Sequence, residues 1–277
     1  MRDVLRRLLA GELSEAEAET ELRRAQLDEL DGRARLDLGR DRRRGIPEVI
    51  LGSGKTPEDA ARLVMAMTRE QGQGLASRLG VEHWAALEAA AGAAAFEVRR
   101  HRAAARVLRP GFEPRPQRGR VAVLTAGTSD LDAAEEVRMV VEACGLQSRL
   151  EADLGVAGLH RLLAPLAELL AWDPDVFVVA AGMDGVLPGV VAGLVDRPVI
   201  GLPVSTGYGR GGAGEAALGT MLQSCSTGLL TVNIDNGVGA GAAAVLIASR
   251  AASRADGPAP PRPAPERPGS AGRGPRR

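Results

Sequence analysis

Apolar residues change texture near residue 120. Downstream they come in short unbroken runs: RVAVLT (120–125), VFVVAAG (176–182), RPVIGLP (197–203) and LLTVNI (229–234). Runs of that length, rich in β-branched residues and without polar alternation, are the signature of strands buried on both faces. Between them apolar residues recur every three or four positions, which predicts helices over 131–144, 157–170, 213–222 and 238–250. A weaker alternating run over 147–153 adds another strand. Strand and helix alternating in this way build βαβ units and a parallel sheet covered on both faces.

Upstream the pattern is shorter and mixed. Two short helices flank Gly11, the second opened by a Ser14/Glu17 capping box. Extended runs near 34–38, 47–51 and 74–79, with helical patterns at 57–70 and 82–91, predict a small α+β domain. The segment RPGFEPRPQRG (109–119) is rich in proline and holds little that can be buried, so it reads as a linker. Residues 254–277 are dense in proline with no apolar periodicity, and such a segment buries too little surface to offset its ordering entropy. The expected organisation is an N-terminal α+β domain over 1–108, a linker over 109–119, an α/β domain over 120–253 and a disordered tail over 254–277.

Composition narrows the function classes. Apolar residues make up 45% of 277, enough for a real core, and the formal net charge of zero removes the electrostatic case for nucleic acid or an anionic membrane surface. Lys55 is the only lysine, so RDRRRG (40–45) reads as a compositional bias toward arginine rather than a nucleic-acid patch. Cys144 and Cys225 make no disulfide framework and no CxxC pair. Charges interrupt the apolar positions of the N-terminus, which excludes a signal-peptide core, and no run approaches the roughly 18 apolar residues of a membrane span. A cytoplasmic protein with no nucleic-acid or membrane partner is expected.

In an open parallel sheet the ligand crevice lies beyond the carboxyl ends of the strands. After the first strand comes TAGTSDLDAAEE (125–136), where Gly127 permits a tight turn and Thr128, Ser129 and Asp130 offer hydroxyls, exposed amides and a cap for the next helix. After VFVVAAG comes MDGVLPG (183–189), which sets Met183 and Asp184 between Gly182 and Gly185. After RPVIGLP, ending at Pro203, comes VSTGYGRGG (204–212) with Ser205 and Tyr208. The glycine density at these strand ends favours a large flat or phosphate-bearing ligand. By contrast, LGSGKTPED (51–59) is no phosphate loop: the GxxxxGK[ST] pattern needs glycine where Val49 stands. Thr56 as helix cap and Pro57 at the first helical position explain it better. Cys144 lies on an apolar helix face, whereas Cys225 stands in the polar, glycine-punctuated SCSTG (224–228).

Residues 120–250 resemble the N5-carboxyaminoimidazole ribonucleotide mutases through GTSD (127–130), GLHR (158–161), AAGMDGVLPGVVAG (180–193) and RPVIGLPV (197–204). Over nearly its whole length the chain is similar to the LarB family. The added segments are LDLGRDRRRGIPEVILGSGKTPE (36–58), the SCSTG cysteine and the ending NIDNGVGAG (233–241).

The resemblance implies a flavodoxin-like three-layer fold, a doubly wound parallel sheet like that of the aminoimidazole ribonucleotide carboxylases, assembled as a homo-octamer. It implies carboxylation of C5 of the pyridinium ring of nicotinic acid adenine dinucleotide by CO2 or bicarbonate, with hydrolysis of the phosphoanhydride. The products are pyridinium-3,5-biscarboxylic acid mononucleotide and AMP, the first step of nickel-pincer cofactor synthesis. On this reading Cys225 is the covalent nucleophile. Asp184, where the family commonly has glutamate, takes the C5 proton or orients the ring. His160 moves protons or holds the crevice together. Gly127, Thr128, Ser129, Asp130, Gly182, Met183, Gly185, Pro203, Ser205 and Tyr208 form the substrate cleft, with capping the helix the simplest role for Asp130. No tightly bound cofactor is expected. Mg2+ at the substrate diphosphate is compatible with this chemistry, but no carboxylate cluster demands it. The alternatives are an aminoimidazole ribonucleotide mutase, which leaves Cys225 unexplained, and a non-catalytic dinucleotide-binding protein.

Overall fold

The computed structural model describes residues 2–18, 27–30, 34–37 and 39–255. Helix α1 (Arg2–Leu9) is followed by a reversal at Gly11 and a second helical start at 15–18. There the Glu17 carboxylate accepts the Ser14 amide (2.9 Å) and hydroxyl (2.7 Å), and Ser14 Oγ accepts the Glu17 N–H (3.3 Å), which is the reciprocal cap expected. An antiparallel ribbon of β1 (Leu27–Leu30) and β2 (Ala34–Asp37) leads to α2 (Arg40–Arg44), a short helix holding the arginine run.

The next elements are β3 (Val49–Leu51), α3 (Pro57–Gln71), β4 (Gln73–Ser77), α4 (Val81–Ala93), β5 (Glu97–His101) and β6 (Ala104–Leu108). They form a four-stranded sheet in the order β3-β4-β6-β5, with only β3 and β4 parallel. Helix α3 begins as predicted, the Thr56 hydroxyl accepting the Asp59 N–H at 3.2 Å. The β5–β6 hairpin escaped the pattern reading. Arg99, Arg100 and Arg106 interrupt its apolar positions, and Arg106 is nevertheless buried.

The C-terminal half runs β7 (Arg120–Thr125), α5 (Leu131–Ala143), β8 (Gln147–Glu151), α6 (His160–Ala171), β9 (Val176–Ala181), α7 (Leu187–Leu194), β10 (Val199–Pro203), α8 (Glu215–Leu222), β11 (Leu229–Thr231) and α9 (Gly237–Ala255). Its five strands are all parallel, in the order β11-β10-β9-β7-β8. Counted from β7, that is the 2-1-3-4-5 order of the flavodoxin-like doubly wound fold. Strand alternation divides the core. Val121, Val123, Val178 and Ile200 face the layer of α5 and α9, while Leu124, Phe177, Val179 and Val199 face α6, α7 and α8. Strand β8 is the half-exposed edge, which explains its weaker alternation. Helix α7, short and opened by proline, is not among the helices the periodicity predicts.

Ile46, Leu75 and Ala104 join the core cluster built around α5, so that helix is covered by both sheets. The opposite face of the four-stranded sheet, through Ala76, Ala105 and Val107, packs under α3 and α4. Segment 109–119 has no regular structure, but it is pinned to the C-terminal half by Gln117, whose N–H donates to the Gly145 carbonyl and whose Nε2 donates to the Cys144 carbonyl, both at 2.9 Å. The proline-rich tail expected over 254–277 lies, from residue 256, outside the described residues. Among those described, no helix is long and apolar enough to cross a membrane.

Candidate functional site

At the β7/β9 switch point the connections leave toward opposite faces of the sheet, and their divergence opens a cleft. It has a volume of about 340 Å³ and is walled by the turns that follow β7, β8, β9 and β10. Of the residues expected there, Gly127, Ser129, Asp130, Gly182, Met183, Asp184 and Tyr208 line it. Thr128 belongs to the same turn without lining the cleft, and Pro203 is buried at the end of β10 below it. Ser205 does not line it either; its backbone N–H donates to Asp235 Oδ1 at 2.8 Å.

Asp130 is the electrostatic centre of this cleft, with only 2% of its surface exposed. Its Oδ2 accepts the Gly127 N–H at 2.9 Å and its Oδ1 accepts the Thr206 hydroxyl at 2.7 Å. Burial raises its pKa above the ordinary carboxylate value, and hydrogen bonds from Thr206, Gly127 and Ser129 offset only part of that rise. The expectation that Asp130 caps the following helix is corrected: its carboxylate makes no bond to the amides of α5. Residues 128–130 form a 3-10 turn, which swings the side chain back toward Gly127. Gly182 is required opposite, because a Cβ there would stand 2.1 Å from Thr206 Oγ1 and 3.1 Å from Asp130 Oδ1.

Arg161 and Thr206, both lining the cleft, were missed in the sequence. Arg161 supplies its cation, paired with Asp153 at 2.6 Å. His160, one position earlier, starts α6, is exposed and lies outside the cleft wall. Neighbours on a helix point about 100° apart, so the GLHR motif carried the signal and the adjacent residue carries the position. Asp184 is exposed, and its Oδ1 accepts the Val186 N–H at 3.2 Å, fixing the approach to α7.

Cys225 follows α8 and is exposed. It lines a second hollow, of about 490 Å³, with Gly185, Val186 and Gly189 opposite. Segment 183–190 is the wall between the two spaces: Met183, Asp184 and Leu187 face the first, while Gly185, Val186 and Gly189 face the second. Thus Cys225 and Asp184 share a wall but not a hollow. Gly185, at φ 68°, packs so closely on α8 that a Cβ would lie 2.4 Å from the Ala217 carbonyl oxygen. The turn bearing Cys225 is held by the Ser226 hydroxyl, which donates to the Gly189 carbonyl at 2.7 Å. Cys144 is the opposite case, a buried thiol pushed up to about 12 by desolvation. Among the described residues, no group of three or more His, Cys, Asp or Glu side chains comes together to hold a metal ion.

Comparisons with known proteins follow the division into two halves. The AIR carboxylase family model matches residues 120–256, and the LarB/PurE-like N-terminal domain model matches residues 27–109. An uncharacterised protein of Methanocaldococcus jannaschii is 36% identical over 258 residues, covering 90% of this chain and 96% of its own. The N5-carboxyaminoimidazole ribonucleotide mutase of the same organism is 30% identical over 128 residues, covering 46% of this chain and 77% of its own. A crystal structure of a Treponema denticola PurE2 variant covers 50% of this chain and 83% of its own, with a TM-score of 0.40 and 25% identity.

Proposed function

Because the chain belongs to the AIR carboxylase family, with a LarB/PurE-like N-terminal domain ahead of the carboxylase fold, we propose that this carboxylase/mutase-type enzyme carboxylates C5 of the pyridinium ring of nicotinic acid adenine dinucleotide and hydrolyses its phosphoanhydride. The products are pyridinium-3,5-biscarboxylic acid mononucleotide and AMP.

The observation that carries the proposal is the exposure of Cys225 to an open hollow whose far wall is the turn bearing Asp184. A pyridinium ring is an electrophile and does not attack CO2. The Cys225 thiolate adds to a ring carbon next to C5, forming an S–C bond, and the displaced π electrons neutralise the ring nitrogen. The resulting enamine attacks CO2 through C5, forming the new C–C bond. A base then takes the C5 proton, and rupture of the S–C bond returns the electron pair to sulfur and restores the aromatic cation. No oxidant or reductant enters, and cysteine serves because it is both nucleophile and leaving group. Asp184, on the shared wall, is assigned the proton removal. Arg161, with the amides of the Gly127 turn, is assigned the phosphate, and buried Asp130 the sugar side of the cleft. His160, exposed at the start of α6, is assigned a proton-carrying role at the mouth. No carboxylate cluster comes together among the described residues, and Mg2+, if used, is assigned to the substrate diphosphate.

Cys225 and Asp184 stand on two faces of one wall, and from kinship with the carboxylase family we propose an octamer. Leu194, Leu222 and Leu230, each more than half exposed near the β11 edge of the sheet, are apolar surface for subunit contact.

Incubation with nicotinic acid adenine dinucleotide and labelled bicarbonate, followed by mass analysis of nucleotides, tests the proposal. It predicts labelled biscarboxylated mononucleotide together with AMP. Turnover of an aminoimidazole ribonucleotide instead would transfer the chain to the mutase reaction, and tight binding with no product would leave it a binding protein.

A further inference from the structure

Two adjacent residues at the carboxyl end of β4, Ser77 and Arg78, reach into the C-terminal half, and both contacts converge on the turn that enters α9. Arg78 donates to the Asp235 carbonyl at 2.8 Å. The Ser77 hydroxyl donates to Glu136 Oε1, and this buried carboxylate also accepts the Val238 backbone N–H. Gly237 passes so close that a Cβ would stand 2.8 Å from Glu136 Oε2.

The same turn holds the segment that leads from β10 into the cleft. Asp235 N–H donates to the Pro203 carbonyl at 2.9 Å, and Asp235 Oδ1 accepts the Ser205 N–H at 2.8 Å. The next residue, Thr206, donates to Asp130. Beyond it the chain is rich in glycine (207, 209, 211, 212 and 214) and turns on itself through backbone bonds such as Gly212 N–H to the Gly209 carbonyl. Arg78 at φ 57° and Asp235 at φ 54° both occupy the left-handed region, which non-glycine residues keep only where surrounding contacts over-determine it.

We propose that Ser77 and Arg78 are positioning residues, through which the N-terminal unit sets the 203–206 segment, and with it Thr206 on the wall of the nucleotide cleft, by way of the Asp235 turn. This rests on the reading above for the identity of the ligand only. Releasing Arg78 loosens Asp235. Loosening Asp235 frees the Ser205 amide, and Thr206 then withdraws its hydrogen bond from the buried Asp130 carboxylate.

Hydrogen–deuterium exchange and calorimetric titration with nicotinic acid adenine dinucleotide, on full-length wild type, Arg78→Ala and Arg78→Lys, test this. Loss of one charge-assisted hydrogen bond is expected to raise exchange over 203–208 roughly tenfold and to weaken binding roughly tenfold in Arg78→Ala. Exchange in β7 and β9 stays at the wild-type level, which a general loss of stability would not allow. Arg78→Lys, which keeps a donor, recovers most of both effects. Equal exchange over 203–208 in wild type and Arg78→Ala would overturn the proposal. Should neither protein bind the dinucleotide, the functional reading fails, while the exchange comparison still decides the coupling.

Discussion

The two cysteines show how far local chemistry separates identical side chains. Cys144 is buried with its thiol raised to about 12, whereas Cys225 is exposed beside a hollow. Iodoacetamide at neutral pH should therefore label one thiol per native chain, at Cys225, and two after denaturation. Labelling of Cys144 in the native protein would contradict the burial argument. Glu136 gives a prediction in pH. Burial raises its pKa above the ordinary 4.5, outweighing the hydrogen bond from Ser77. The folded chain holds that proton more tightly than the unfolded one, so the contribution is full below the ordinary value and lost as pH rises through the raised one. Relative to Glu136→Gln, the wild type's melting temperature should fall as pH rises above 4.5. Parallel profiles would show that Glu136 titrates normally. The different fates of the two cysteines were legible in their sequence settings. The burial of Arg106 and Glu136 was not, because nothing local marks a charged residue that a distant element will cover.

At the scale of elements, the strands that pair on both sides were the most legible. Val121, Val178 and Ile200 lie in runs that no polar residue interrupts, because both faces of β7, β9 and β10 are covered. The β5–β6 hairpin failed the same reading because Arg99 and Arg100 sit on a partly exposed strand. The turns around the cleft are read correctly only in three dimensions. GTSD advertised a helix cap, yet the Asp130 carboxylate is claimed by Gly127 and by Thr206, which is 76 residues away. Thr206→Val removes one donor from a buried carboxylate, and a cost of about 1–3 kcal/mol in chemical denaturation is expected. Gly182→Ala pushes a methyl against Thr206 Oγ1 and Asp130, so it should weaken dinucleotide binding at least as much. If both variants bind and unfold like wild type, the Asp130 arrangement has no bearing on the site.

The whole molecule is organised around α5, a helix shared by two sheets. The carboxylase half alone would expose the surface that Ile46, Leu75 and Ala104 cover, and its α5 C-terminus would lose the Gln73 side chain that donates to the Ala143 carbonyl at 2.9 Å. A fragment of residues 118–255 should therefore melt well below the full chain or aggregate, as calorimetry would show; equal melting temperatures would mean that the N-terminal half is merely appended. The two halves also meet beside the cleft, where Arg78 donates to the Asp235 carbonyl and Asp235 Oδ1 accepts the Ser205 N–H. The central claim is nevertheless a bond to sulfur. Its most direct measurement is incorporation of labelled bicarbonate into nicotinic acid adenine dinucleotide by wild type and by Cys225→Ala, with circular dichroism to show that both are folded. The account predicts labelled product from the wild type and none above background from a folded Cys225→Ala. Carboxylation by that variant at a rate near wild type would contradict it.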